Sequence, residues 1–372
     1  MTHTAELYTE ITREEYAKLK DHARLEYSGD GKIEYHVREM EQHGITDIKP
    51  HRVITPSGYP LYYCNMIINL QRIVNNGERT IETYNNERDY ESLEWNFYYL
   101  MSKLLPRHSV LNEWSLQRID YNIDLKMTPQ DVEHYIILLQ RGGKNYSWHV
   151  HEFADEKRER RESKHGHRKK THPIGSILFD NKQYSVNIYN KYLERAEVQR
   201  KRKITDAAEL KASEGVLRIE IQVKRNKLNA IKSKIKGDLD FEGKPLGCFA
   251  RYDVAIPIIM KALEDIGGRA DYTTFQNAQK RVISGVRSEK TQVAIIDFLS
   301  LVTQTKSLWR AKELFEGDIK TETILGHLKR LNINPVTIPI SFKREKMDNL
   351  FDIVAVQFAE ECEHGRIQIF SW

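Results

Sequence analysis

The chain has 372 residues, 40% hydrophobic and 30% charged, with a formal charge of +5. That balance excludes a disordered or fibrous polymer and gives room for about two to three domains. Its three cysteines, Cys64, Cys248 and Cys362, are far apart and without CxxC spacing, which argues against a disulfide framework or a zinc-thiolate site. No apolar run approaches the roughly 18 residues that span a bilayer. The N-terminal run is acidic and lacks the apolar core of a signal peptide, so a cytoplasmic protein with no membrane partner is expected.

In chain order, residues 1–50 read as a charged, helical opening followed by short polar segments. After the Pro56-Ser57-Gly58 turn, Tyr62, Tyr63, Met66, Ile67, Ile68, Leu70 and Ile73 predict a strand within residues 59–74. Residues 93–105 predict an amphipathic helix ended by Pro106. The run from Leu116 to Leu125 alternates strictly: Ile119, Tyr121, Ile123 and Leu125 face one way, Arg118, Asp120, Asn122 and Asp124 the other. It leads into Thr128-Pro129, an N-cap and first-turn proline, and a helix ending at Gly142-Gly143. Residues 147–153 predict a short strand before a charged loop over 155–172. A hairpin is expected next, residues 175–180 pairing with 184–191 through Asp180-Asn181-Lys182. In its second arm Val186 and Ile188 share one face and Asn187, Tyr189 and Lys191 the other. A charged helix over 193–210 follows, and then residues 216–224 alternate again, with Leu217, Ile219, Ile221 and Val223 inward and Arg218, Glu220, Gln222 and Lys224 outward. Residues 241–247 read as a linker. Beyond it come a helix capped by Asp253 and ended by Gly267-Gly268, and four more over 273–283, 290–303, 307–315 and 321–331. The fold class is α+β: residues 1–240 an antiparallel sheet flanked by helices, residues 247–372 a mostly helical C-terminal domain.

Positive charge concentrates in the middle of the chain. Residues 155–172 hold eight Lys/Arg against four Asp/Glu. Further on come Arg200-Lys201-Arg202-Lys203 and then Lys224, Arg225, Lys227, Lys232, Lys234 and Lys236. Such a stretch offers a polyanion several phosphate contacts.

If the three alternating strands lie in one sheet, its polar face collects Asp120, Asp124, Tyr189, Lys191, Arg218, Glu220, Gln222 and Lys224. Carboxylates bind Mg²⁺ or Mn²⁺, the ion polarises a phosphoryl oxygen, and the basic groups hold neighbouring phosphates. Tyr189 supplies an attacking oxygen, and the Lys191 charge favours its tyrosinate. Asp120 and Glu220 are the leading ligands and Asp124 a second choice. The pair His149 and His151, two apart on a strand, adds imidazoles that point the same way. Tyr192 falls on the opposite parity and is expected to pack.

The order Arg118-Ile119-Asp120, then Gly175 to Phe179 leading to Ile188-Tyr189-Asn190-Lys191 with Glu194 behind it, then Leu217-Arg218-Ile219-Glu220, resembles the rolling-circle replication initiators of Gram-positive plasmids. It is also similar to the gene II protein class of filamentous phages and to relaxases of integrative conjugative elements. The similarity spans residues 58–236, and Leu331-Asn332-Ile333-Asn334-Pro335 is similar to the helical C-terminal part of the gene II-like members. The resemblance implies an HUH-like sheet and a sequence-specific DNA endonuclease and ligase whose Tyr189 becomes joined to the 5′ phosphate of the nick. It makes Asp120 and Glu220 the metal ligands. The families resembled use acidic ligands in place of a histidine pair, which leaves His149 and His151 as an open alternative.

The partners expected are origin and single-stranded DNA, with Arg118, Arg218, Lys224, Arg225 and Arg200 to Lys203 as contacts. The resemblance implies a host helicase, since the chain has no GxxxxGK[ST] loop of its own to drive unwinding. A homodimer is left open. The rival readings are a relaxase of a mobile element, a metal-independent tyrosine recombinase, suggested by His165-Gly166-His167-Arg168, and a nucleic-acid-binding protein without catalysis.

Overall fold

The computed structural model describes residues 2–27, 33–78, 84–142, 149–152, 175–234, 240 and 243–363, including their side chains except at 33, 86, 87 and 149–152. The charged loop over 155–172, with its His165-Gly166-His167-Arg168 match, lies outside the described residues.

The chain opens with a strand, β1 (Thr2–Ile11), not the expected helix. Its residues alternate as a half-buried strand requires: Ala5, Leu7 and Ile11 are buried, and Thr4, Glu6, Tyr8 and Glu10 are on the other side. The helix expected there begins later. Thr12 and Glu15 form a reciprocal capping box that starts Arg13–Asp21. A small hairpin, β2 (Arg24–Tyr27) with β3 (Ile33–His36), leads to a long one, β4 (Ile45–Ile54) with β5 (Pro60–Asn69). Gly58 at the tip of the long hairpin has φ +84°, a conformation that costs glycine nothing.

The remaining strands of the sheet are β6 (Ser115–Lys126), β7 (His149–Glu152), β8 (Ser176–Asp180), β9 (Tyr184–Asn190) and β10 (Val216–Lys224). They join β1, β4 and β5 in one eight-stranded sheet of order β4-β5-β1-β6-β10-β9-β8-β7, with every neighbour antiparallel. The three alternating strands predicted from sequence are therefore adjacent, with β10 between β6 and β9. The β8–β9 turn is held by Asn181, whose Oδ1 accepts from the backbone N–H groups of Gln183 and Tyr184, both at 2.7 Å.

One face of this sheet is the core. Ile119, Tyr121, Val186, Ile188, Leu217, Ile219, Ile221 and Val223 are all buried there. The residues read as a linker contribute to it: Pro245–Ala250 is a helix with every residue buried, and the Tyr121 hydroxyl donates to the Phe249 carbonyl at 2.7 Å. The exposed appearance of Gly243-Lys244-Pro245 misled because a proline at the first helical turn is also a helix start. Asp253 is not the cap of the next helix, Tyr252–Gly267; Arg251 takes that position and ion-pairs with Asp253 at 2.8 Å.

A second apolar cluster is built by the helices Phe275–Gly285, Glu289–Thr305, Leu308–Leu314 and Thr321–Arg330 around Val282, Phe298, Leu299 and Leu328. Short strands β11 (Tyr272–Thr273) and β12 (Lys346–Met347) pair with each other, and their Tyr272 and Met347 belong to the main core. The protein is thus α+β, an antiparallel sheet with many helices. Among the described residues no helix is long and apolar enough to cross a membrane.

Candidate functional site

The site lies on the sheet face opposite the core. Register fixes its layout: Arg218 pairs with Asp124 on one side and Tyr189 on the other, Glu220 with Asn122 and Asn187, and Gln222 with Asp120 and Ser185. Directly opposed residues share a face, so the side chains grouped from sequence alternation do converge. β1 adds Thr4 opposite Asp120 and Glu6 opposite Arg118.

Tyr189 is only 6% exposed, and its hydroxyl donates to Glu220 Oε1 at 2.6 Å. Burial, then the Glu220 carboxylate, push the phenol far above its ordinary range; the Arg218 charge pulls the other way and loses. The expectation that Lys191 would favour the tyrosinate is not met. β9 stops at Asn190, whose side chain caps the helix Lys191–Arg202 by accepting from Tyr192 and Leu193 N–H, so Lys191 is the first helical residue. Its ammonium lies 5.6 Å from the centre of the Tyr189 ring rather than at the hydroxyl, and it is ion-paired with Glu194 at 2.9 Å. Burial, then Arg218, lower its pKa. Tyr192, in the same first turn, is 39% exposed and does not pack inward as strand parity suggested.

Asp120 is 8% exposed, accepts from the Thr4 hydroxyl and faces Arg118 at 2.9 Å. That contact lacks hydrogen-bond geometry, since both Asp120 Oδ1 and Arg118 Nε count as buried atoms without a hydrogen-bond partner. Burial, the largest influence, raises the Asp120 pKa against the pull of Arg118. Asp124 is differently placed: Arg218 grips both its oxygens through Nε and Nη2. Asn187 Oδ1, opposite Glu220, is buried with no hydrogen-bond partner. Among the described residues no three His, Cys, Asp or Glu side chains gather to hold a metal by themselves.

His149 and His151 sit in β7 at register positions opposite Asp180 and Leu178, and their side chains lie outside the described residues. Several cations expected to meet DNA are engaged within the protein. Arg118 pairs with Glu6 and Asp120, Arg218 with Asp124, and Lys224 with Asp180. On the Lys191–Arg202 helix, Arg200 and Lys201 share Glu197, whereas Arg202 and Lys203 are exposed just beyond. Arg225 is exposed at the start of the helix Arg225–Lys234.

Sequence reasoning missed His3 and Thr4, and it placed Asn187 on the Tyr189 face without giving it a role. The register of β1 against β6 shifts between Thr2 and Thr4, and His3 occupies that irregularity. Burial, then the charges of Arg218 and Lys191, push its imidazole down to about 4, so it is neutral at pH 7. The signal was the alternation of Thr4, Glu6, Tyr8 and Glu10 with Ala5 and Leu7, hidden by reading the acidic N-terminus as helical.

Neither protein-family models, nor curated proteins, nor solved structures give a match to this chain.

Proposed function

We propose that the protein is a DNA nicking and joining enzyme that initiates rolling-circle replication, with an HUH-like use of its sheet. The observation that carries this reading is the Tyr189 phenol held at 2.6 Å against the Glu220 carboxylate, on a polar sheet face that also carries Asp120 and Arg218. A buried phenol is a poor nucleophile unless its proton has somewhere to go, and Glu220 is in reach to accept it. Tyr189 Oη then forms a bond to phosphorus as the bond to the 3′ oxygen breaks, and that oxygen leaves as a 3′ hydroxyl once protonated. The 5′ phosphate stays on Tyr189. Attack by a 3′ hydroxyl on the phosphotyrosine reverses the step, so cutting and rejoining need no ATP.

The oxygens on this face suit a hard divalent ion. Mg²⁺ is commonly held by one or two carboxylates with the rest of its shell from water and substrate phosphate. Asp120 and Glu220 supply the carboxylates and the orphaned Asn187 Oδ1 a neutral oxygen beside Glu220. When bound, Mg²⁺ or Mn²⁺ supplies charge neutralisation at the phosphoryl oxygens. Asp124, gripped by Arg218, acts in positioning rather than as a ligand. DNA is the substrate, single-stranded at the nick, and a separate helicase supplies unwinding.

The test is incubation with single-stranded oligonucleotides tiling the replicon that carries the gene, with Mn²⁺ or with EDTA, followed by a denaturing gel. A protein–DNA adduct that requires Mn²⁺ and is lost in Tyr189→Phe is the expected result. An adduct that survives Tyr189→Phe refutes the assignment, and one formed fully in EDTA and linked to a 3′ phosphate points to the recombinase chemistry. Oligonucleotide binding with no adduct under any condition supports a non-catalytic binding protein.

A further inference from the structure

The polar face continues past Asp120 along β1 and across β5 to β4. There Tyr8, Tyr63 and His51 form an aromatic patch. The Tyr8 and Tyr63 ring centres are 5.0 Å apart and stacked at 24°, His51 and Tyr63 are 5.6 Å apart at 30°, and Tyr8 and His51 are 6.2 Å apart at 41°. Register places them on the site's side of the sheet: Thr4, opposite Asp120, has the same parity as Tyr8, while Tyr8 pairs with Asn65 and Tyr63 with both Glu10 and His51.

Aromatic residues on strands most often pack into a core. These do not. Their strand neighbours Leu7, Tyr62 and Cys64 belong to or pack on the hydrophobic core, whereas Tyr8, Tyr63 and His51 take no part in it and are all half-buried. Arg225 and Glu10, both exposed, are near enough to the Tyr8 phenol to act on it with opposite sign. Arg225 offers a polyanionic backbone a cation near the rings. Such pairing of aromatic surface with a flanking cation is how unpaired nucleic acid is held.

We propose that Tyr8, Tyr63 and His51 are a stacking platform for an unpaired base of the single-stranded DNA whose scissile phosphate lies at Tyr189. This rests on the nicking reading and adds a second contact to it. From β9 to β1 is three strand spacings, and from Asp124, level with Tyr189, to Ser115, level with Tyr8, is nine residues along β6. At roughly 4.8 Å per strand and 3.3 Å per residue Tyr8 lies about 33 Å from Tyr189, with Tyr63 and His51 on the two strands beyond. It therefore grips a nucleotide several positions from the cut and helps set which phosphate reaches the tyrosine.

The experiment measures fluorescence anisotropy of labelled oligo-dT on the full chain, with the Tyr189→Phe protein as a non-cutting reference. Tyr63→Leu and Tyr8→Leu are each expected to weaken binding about tenfold, and Tyr63→Phe, which keeps the ring, to restore it. On an oligonucleotide that forms the adduct, a single abasic site moved along the strand should weaken wild-type binding at one position away from the nick, and Tyr63→Leu should be insensitive there. Wild-type affinity in both leucine variants overturns the platform even if the adduct forms, whereas loss of the adduct alone, with the ring dependence intact, overturns only the nicking chemistry. Tighter binding of oligo-U than of oligo-dT with the same ring dependence overturns the assignment to DNA.

Discussion

Tyr189 and Glu220 sit on neighbouring antiparallel strands, two residues out of direct register and so on the same face, and the phenol donates to the carboxylate at 2.6 Å. The contact settles which neighbour governs the tyrosine. Lys191, the neighbour favoured by sequence, is turned to Glu194, so the phenol is held protonated and its proton is shared with a carboxylate.

From this contact we expect Glu220→Gln, assayed at saturating Mn²⁺ because Glu220 is also a proposed ligand, to keep the geometry, since the amide oxygen still accepts from the phenol, while removing the proton acceptor. Adduct formation should slow by about 10²- to 10⁴-fold with oligonucleotide affinity unchanged. Single-turnover rates and anisotropy on the same protein separate the two. A variant that forms adduct at the wild-type rate removes Glu220 from the chemistry.

The two aspartates of β6 should part company. Asp120 has a buried oxygen without a hydrogen-bond partner, while both oxygens of Asp124 are held by Arg218. Asp120→Asn is expected to raise the Mn²⁺ concentration needed for half-maximal adduct formation at least tenfold, on the scale by which lost metal contacts weaken sites. Asp124→Asn should leave that requirement unchanged. Equal shifts in the two titrations would mean that both aspartates act on the ion.

His3 makes stability fall in acid. Its folded pKa of about 4 is below the ordinary imidazole value of 6.5, so between those values the unfolded chain binds a proton that the folded one does not. Stability then rises with pH across that window and is lost as pH falls from about 6.5 toward 4. The loss should be on the order of 2 kcal/mol and smaller in His3→Gln. Urea unfolding at pH 7, 5.5 and 4.5 measures it, and identical pH slopes in the two proteins would rule His3 out as the source.

Much of the fold was legible because strict alternation survives wherever a strand has one wet face. β6 and β10 were located nearly to the residue, and the placing of β10 between β6 and β9 buries Ile119, Ile188 and Ile219 on one face. Three things escaped. β1 reads as an acidic segment, and only pairing with β5 and β6 reveals that Thr4 and His3 belong to the site. The expected 193–210 helix is two, Lys191–Arg202 and Ala207–Ser213, because Lys203 takes a left-handed φ of 55° that ends the first. Partner choice among charges was also hidden: alternation shows that Arg218 and Glu220 share a face, but not that Arg218 prefers Asp124.

The last prediction concerns the helix Pro245–Ala250, which overlaps the 241–247 stretch read from sequence as a linker. The Pro245–Ala250 helix lies on β6, Phe249 is 0% exposed, and its carbonyl accepts from Tyr121, itself 0% exposed. Tyr121→Phe removes that hydrogen bond and should cost about 0.5–1.5 kcal/mol. Phe249→Ala should cost about 3–5 kcal/mol, because it opens a cavity against Tyr121 and its neighbours. Ending the chain after Asp240 removes that helix, leaves the helix Arg225–Lys234 packed on β6, and exposes part of the apolar side of β6, so the fragment should lose cooperative unfolding and associate. Thermal melts and sedimentation of the three proteins test this. A monomeric, cooperatively melting 1–240 fragment would mean that the sheet closes its core without the helix.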